Sequence, residues 1–232
     1  MINFWHEGVT FLGAGKVRKE DLSNAVNLAP NLIAADGAAD IASRNNLTPH
    51  TVIGDMDSIS DNFFELNPNS VKMKITEQNT TDFEKCLMTV NAKFAIAVGF
   101  LGCQLDHELA AFNAVAKHQK YPVLLIGDKD AIIACPNNIS LELPEGTRVS
   151  LFPLKSVCVL TEGLRWNLNQ EILSPLERIG TSNITVSSQV KIKVDGSGLL
   201  IILPKVYLSE LIRAMLASVS YTHLRAHETI PD

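Results

Sequence analysis

"TVIGDMDSIS", residues 51–60, is a short apolar run that stops at a glycine and is followed by Asp55 and Asp57, two positions apart. A strand with one wet face alternates polar and apolar residues. Thr51 to Gly54 do not alternate, which predicts a strand covered on both faces, as in a parallel sheet. The two aspartates repel each other at that spacing, so either solvent screens them or a cation holds them. The first feature decides the fold, and the second marks where to look for a site.

The neighbouring segments repeat the pattern. "VTFLGAG" (9–15), "NLIAADG" (31–37), "VKMKI" (71–75), "KFAIAVGF" (93–100) and "PVLLIGD" (122–128) read as further strands. Helical stripes separate them: Leu22, Ala25, Val26 and Ala29; a short helix over 38–45; Phe83, Cys86, Leu87 and Val90; and a longer helix over 106–119. Strands alternating with helices predict an α/β domain with a mainly parallel, Rossmann-like sheet. After about residue 130 short β-type runs appear between turn residues, from "AIIAC" (131–135) to "GLLIIL" (198–203). They predict a smaller antiparallel all-β domain, sandwich or barrel, with a sandwich as the working expectation. Composition places the boundary at the turn "PEGTRV", giving domains over 1–143 and 144–204 and an extension over 205–232. In that extension 205–218 reads as a helix. Residues 219–232 have no apolar period and read as a flexible or foreign tail, with His223 and His227 as a metal pair in the alternative.

The chain has 232 residues, 46% of them hydrophobic and 19% charged, enough for a sizeable core. Its formal net charge is -5 with no dense Lys/Arg block, which disfavours a nucleic-acid partner. The four cysteines form no Cys-x-x-Cys pair, so zinc knuckles and a disulfide framework are not expected. Neither a secretory signal nor a membrane-spanning run is evident, and a cytoplasmic protein is the expectation.

In a parallel α/β sheet, ligands bind beyond the carboxyl ends of the strands. Asp36 follows the second strand, Asp55 and Asp57 the third, Asp82 the loop after the fourth, and Asp106 the loop after the fifth. All five therefore map to one edge. Each has a plainer reading: Thr81-x-x-Glu84 is a capping box with Asp82 in the first turn, Asp106 starts a helix, and Asp36-Gly37 is a turn. Convergence favours a site, because clustered carboxylates suit Mg²⁺ carrying substrate phosphates. "GAGK" (13–16) and Lys85 are candidate phosphate partners, although "GAGK" lacks the rest of a phosphate-binding loop.

At these residues the sequence resembles the thiamine pyrophosphokinase family. The resemblance is carried by "ADGA" (35–38), "GDMDS" (54–58), "QNTTDFEK" (78–85), "GFLGCQLDHELA" (99–110), "GLRWNL" (163–168) and "GTSN" (180–183). It implies Mg²⁺-dependent transfer of pyrophosphate from ATP, the co-substrate, to the hydroxyl of thiamine, giving thiamine diphosphate and AMP. It implies ATP and thiamine as partners, and a homodimer with the thiamine site at the subunit interface. It makes 1–143 the nucleotide-binding catalytic domain and 144–204 the thiamine-binding domain. The acidic positions carry over to Asp36, Asp55, Asp57, Asp82 and Asp106, with Asp55, Asp57 and Asp82 as expected metal ligands and Asp82 or Asp106 as the base. Gln78, Thr81 and Lys85 match the nucleotide- and substrate-proximal segment, and Ser182 and Asn183 the thiamine-contacting one. One motif departs: where the family reads Gly-Gly-Arg, this chain has Gly102-Cys103-Gln104, and glutamine lacks the charge and forked geometry of arginine. Rival readings are a pyrophosphokinase for another hydroxymethyl heterocycle, such as a pterin, and a nucleotide- or thiamine-binding module with weak or lost catalysis.

Overall fold

In the computed structural model the chain forms two compact units, Met1–Ala114 with Val123–Asp128, and Val115–Pro122 with Lys129 onward. The structure describes residues 1–119 and 121–227, with only the backbone for Trp5 and 219–227.

The first unit runs β1 (Ile2–Leu12), α1 (Lys19–Leu28), β2 (Asn31–Ala35), α2 (Ala38–Arg44), β3 (Thr51–Gly54), α3 (Phe63–Leu66), β4 (Val71–Lys74), α4 (Asp82–Thr89), β5 (Val90–Val98), the residues of α5 (Leu105–Lys117) up to Ala114, and β6 (Val123–Ile126). The order β6-β5-β1-β2-β3-β4 is parallel throughout, as the unbroken apolar runs predict. Successive side chains of β1 feed opposite faces. Leu12 packs with Leu22 of α1 and with Ala38, Ala39 and Ala42 of α2. Phe11 meets Phe83 of α4 edge-to-face, ring centroids 6.5 Å apart. The sheet is therefore coated by helices on both sides.

Three elements differ from the sequence reading. β1 starts at Ile2 rather than at residue 9, pairing with β5 across an irregularity between Phe4 and Gly8. Asn3, His6 and Glu7 break up the apolar residues of its first half, which hides the strand from an apolar-run criterion. β4 is largely exposed, as an edge strand can be. α3 is one short turn-length helix around the buried Phe63 and has no periodic signature.

The second unit contains β7 (Asp130–Ala134), β8 (Asn138–Glu142), β9 (Arg148–Pro153), β10 (Val157–Glu162), β11 (Glu171–Leu173), β12 (Gly180–Ile184), β13 (Gln189–Asp195), β14 (Leu199–Pro204) and α6 (Leu208–His227). Its strands pair antiparallel in the orders β12-β9-β14-β7 and β11-β10-β13-β8, the sandwich expected. β13 alternates exposed Lys191 and Lys193 with buried Val190, Ile192 and Val194, so one sheet face is wet and the other enters the core. β7 and β8 pair with β14 and β13, which places the division after Asp128 and not at the 143/144 turn. The strand pattern changes at residue 130, and pairing partners decide membership, whereas a turn inside the sandwich only looks like a linker. Among the described residues no helix is long and apolar enough to cross a membrane. The tail expectation, with His223 and His227, lies outside the described side chains.

Candidate active site

Asp36 stands immediately after β2, and Asp55 and Asp57 immediately after β3. Parallel pairing of these strands, Ala35 opposite Ile53, brings their tips together. One oxygen from each of the three carboxylates lies within 4.8 Å of the others. The backbone is bent to achieve this: Asp36 and Met56 adopt φ of 44° and 72°, a region that side chains other than glycine seldom occupy. The Met56 amide donates to Asp36 Oδ1 at 2.9 Å, which fixes that carboxylate. Ser58 Oγ donates to Asp57 Oδ1 at 2.9 Å.

The three acids differ in character. Asp36 is buried, 5% exposed. Burial raises its pKa above the ordinary carboxylate value, against hydrogen bonds from Ser58 and Met56, and the charge of Asp82 raises it further. Asp55 is half-buried, and its pKa is lowered mainly by the Gln78 amide, which donates to Oδ2 at 3.1 Å. Gln78 thus joins the cluster.

Asp82 and Lys85 form a second group on α4. Thr81 caps that helix by accepting the Glu84 amide at 3.3 Å, the capping box expected. Lys85 is 4% exposed, and its Nζ donates to Asp82 Oδ1 at 3.0 Å. Burial works against its charge, but the Asp82 hydrogen bond and the fields of Asp82, Asp55 and Glu77 raise its pKa overall. A solvated lysine is thereby ruled out. Asp82 is not in the three-carboxylate set; it lies close enough for its charge to act on Asp36. Asp106 sits in the first turn of α5, exposed, accepting the His107 amide at 2.9 Å.

In the second unit, Ser182 is in a left-handed conformation (φ 58°), and its amide donates to Ser150 Oγ at 2.9 Å. Asn183 is used internally. Its Oδ1 accepts the Trp166 and Ile184 amides at 3.2 and 2.9 Å, and its Nδ2 donates to the Trp166 carbonyl at 2.8 Å. Its effect is to hold Trp166, which is 56% exposed under Arg165. Trp166 was not singled out as a site residue from the sequence, although it stands in the "GLRWNL" (163–168) motif that carries the resemblance.

Gly54 was missed as well. A Cβ there would stand 2.7 Å from Asp36 Cβ and 3.1 Å from its carboxyl carbon. Gly54→Ala is therefore expected to push Asp36 out of the cluster. Overpacking of this kind costs about 1–3 kcal/mol, read by thermal melting. Turnover is expected to fall about a hundredfold, since displacement by an ångström is enough for that.

A family model described as the thiamin pyrophosphokinase catalytic domain matches residues 22–126, and one described as its vitamin B1 binding domain matches residues 135–199. Thiamine pyrophosphokinase 1 of Oryza sativa subsp. japonica is 29% identical over 185 residues, covering 72% of this chain and 69% of that protein. Thiamine pyrophosphokinase 1 of Arabidopsis thaliana is 28% identical over 174 residues, covering 67% and 65%. The chain thus spans about two thirds of the length of these curated relatives. The crystal structure of yeast thiamin pyrophosphokinase superposes with a TM-score of 0.67 at 19% identity, covering 89% of each chain, and that likeness speaks for the fold. Two family models, together running through both units, agree with the motifs: the chain belongs to the thiamin pyrophosphokinase family.

Proposed function

We propose that the protein transfers pyrophosphate from ATP to the hydroxyl of thiamine, with Mg²⁺, releasing AMP. The observation that carries this is the meeting of Asp36, Asp55 and Asp57 at two adjacent strand tips. Their oxygens are hard donors, and their mutual repulsion is offset by Lys85 only from outside the set, so the donor chemistry fits a divalent cation. Asp36, Asp55 and Asp57 would hold it, with Asp82 beside them. When bound, Mg²⁺ would neutralise phosphate charge as it develops.

The chain's own residues supply the rest. The thiamine oxygen attacks the β-phosphorus of ATP, the bond from that phosphorus to the α-bridging oxygen breaks, and AMP leaves with the electron pair. The hydroxyl proton passes to a carboxylate, Asp82 or Asp106. Lys85, kept cationic by its carboxylate neighbours, faces the same charge. Transfers of this type depend on positioning and electrostatics more than on covalent help. The first unit is the nucleotide-binding part of this proposal and the second unit the thiamine-binding part. Asn183 acts there through Trp166, whose exposed indole suits a cationic aromatic ligand, and Ser182 lies beside it in sequence. A homodimer belongs to the same reading, supported by exposed apolar side chains at Ile172, Leu176 and Ile179. So does a reducing, cytoplasmic setting, supported by four free cysteines.

The test is incubation with ATP, thiamine and Mg²⁺. AMP and thiamine diphosphate are expected in equal amounts, and neither with EDTA. ADP in place of AMP would identify an ordinary kinase, and tight binding with no product would identify a binding module.

A further inference from the structure

From β1 the chain proceeds to β2, β3 and β4 on one side of the sheet and returns to β5 and β6 on the other. The strand order thus reverses at the β1 and β5 tips, and open parallel sheets take ligands beyond the carboxyl ends of strands at such a reversal. The two turns at these tips are bound together. The Gly13 amide donates to the Val98 carbonyl and the Gly15 amide to the Gly99 carbonyl, both at 2.8 Å. A Cβ on Gly13 would stand 2.5 Å from the Gly99 oxygen, so no side chain fits there.

Charge at this place comes from the end of the β1 turn. The stem of Lys16 lies along the β5 turn, its Cβ and Cδ 3.3 and 3.5 Å from where a Cβ on Gly102 would be. Gly102 precedes Cys103 and Gln104 in this turn, and the loop from Gly102 to Asp106 contains no cation of its own. Lys16 Nζ lies 3.6 Å from Asp128 Oδ1, and Arg18 pairs with the same carboxylate. Two cations share one aspartate, and the Glu108 carboxylate accepts the Gly102 amide at 3.0 Å on the neighbouring turn, so Lys16 and Arg18 are the positive charge here against two carboxylates. The acidic cluster stands on the other side of β1. Strands are spaced about 4.8 Å apart, so the tips from β5 to β3 span about 14 Å.

We infer that Lys16, held with Arg18 on Asp128, is a phosphate-binding residue for the nucleotide, supplying from the β1 turn the positive charge that the Cys103-Gln104 loop lacks. The inference rests on the ATP reading above and adds a residue to it. A polyphosphate lying across the β1 tip would have this cation at one end and the carboxylates with their metal at the other.

The test is calorimetric titration with ATP, and separately with adenosine, in EDTA so that metal plays no part. Lys16→Met is expected to weaken ATP binding about tenfold or more, the scale of one lost charge-assisted contact, and to leave adenosine unchanged. Lys16→Arg is expected to keep wild-type affinity. Adding Gln104→Arg to Lys16→Met is expected to restore most of the loss, and in the otherwise unaltered chain to lower the KM for ATP by a smaller factor. Wild-type ATP affinity in Lys16→Met, or equal losses for ATP and adenosine, would overturn the inference. Thiamine turnover by the unaltered protein is measured beside it: if none occurs while ATP binding depends on Lys16, the transfer reading fails and the phosphate assignment stands.

Discussion

Asp36→Asn is expected to lower turnover about a thousandfold, the scale of losing a group that holds the catalytic charge, while leaving the protein at least as stable at neutral pH. Asparagine keeps the oxygen that accepts the Met56 amide and tolerates the positive φ of this position. What it removes is a buried negative charge. The direction of the pH effect follows from the raised pKa of Asp36. A carboxyl whose folded pKa is raised contributes stability that is fully present below its unfolded value, near 3.8, and is lost as pH rises through the folded value. In metal-free buffer this contribution should therefore decline upward from the ordinary carboxylate range in the wild type and be absent in the variant. Thermal melts at acid and neutral pH check it. A variant that melts well below the wild type at neutral pH, or that turns over at its rate, would contradict the role given to Asp36.

Lys85→Met is expected to give the second large effect, a loss in turnover of about a hundredfold with the fold kept to within about 1 kcal/mol. Methionine matches the buried stem of Lys85 and suits the middle of α4. The usual penalty for breaking a buried ion pair falls on the charge left behind. Here the group left behind is Asp82, 40% exposed, which water can solvate. The lost function is a cation facing the carboxylate cluster and the phosphates. Melting temperature and kcat measured together separate this from a structural role, in which the two would fall in step.

Much of this arrangement was legible in the sequence, for reasons that can be named. Thr51–Gly54 and Val123–Ile126 are buried at every residue, so the pattern of apolar runs reported them directly. The Thr81 cap was readable because a capping box is a local contact. That acids follow strands is also local information, and the parallel sheet turns it into a shared edge. What stayed hidden depends on tertiary placement. The burial of Asp36 and the need for glycine at position 54 arise from one strand tip leaning over the next. The engagement of Asn183 with Trp166 joins residues 17 apart across the sandwich. Lys16 stood in a motif too short to weigh, and its position along Gly102 exists only once β1 and β5 pair.

The most direct test of the central claim is to count divalent ions at the cluster. Mn²⁺, standing in for Mg²⁺ and read by electron paramagnetic resonance, is titrated into the protein with ATP present, for the wild type and for Asp55→Ala/Asp57→Ala. Asp57 is exposed and Asp55 half-buried, and circular dichroism checks that the fold survives their loss. Wild-type protein should bind the ion, and the double variant should bind it at least about tenfold more weakly with ATP affinity falling alongside. Equal Mn²⁺ affinity in the two proteins would contradict a metal held by these carboxylates.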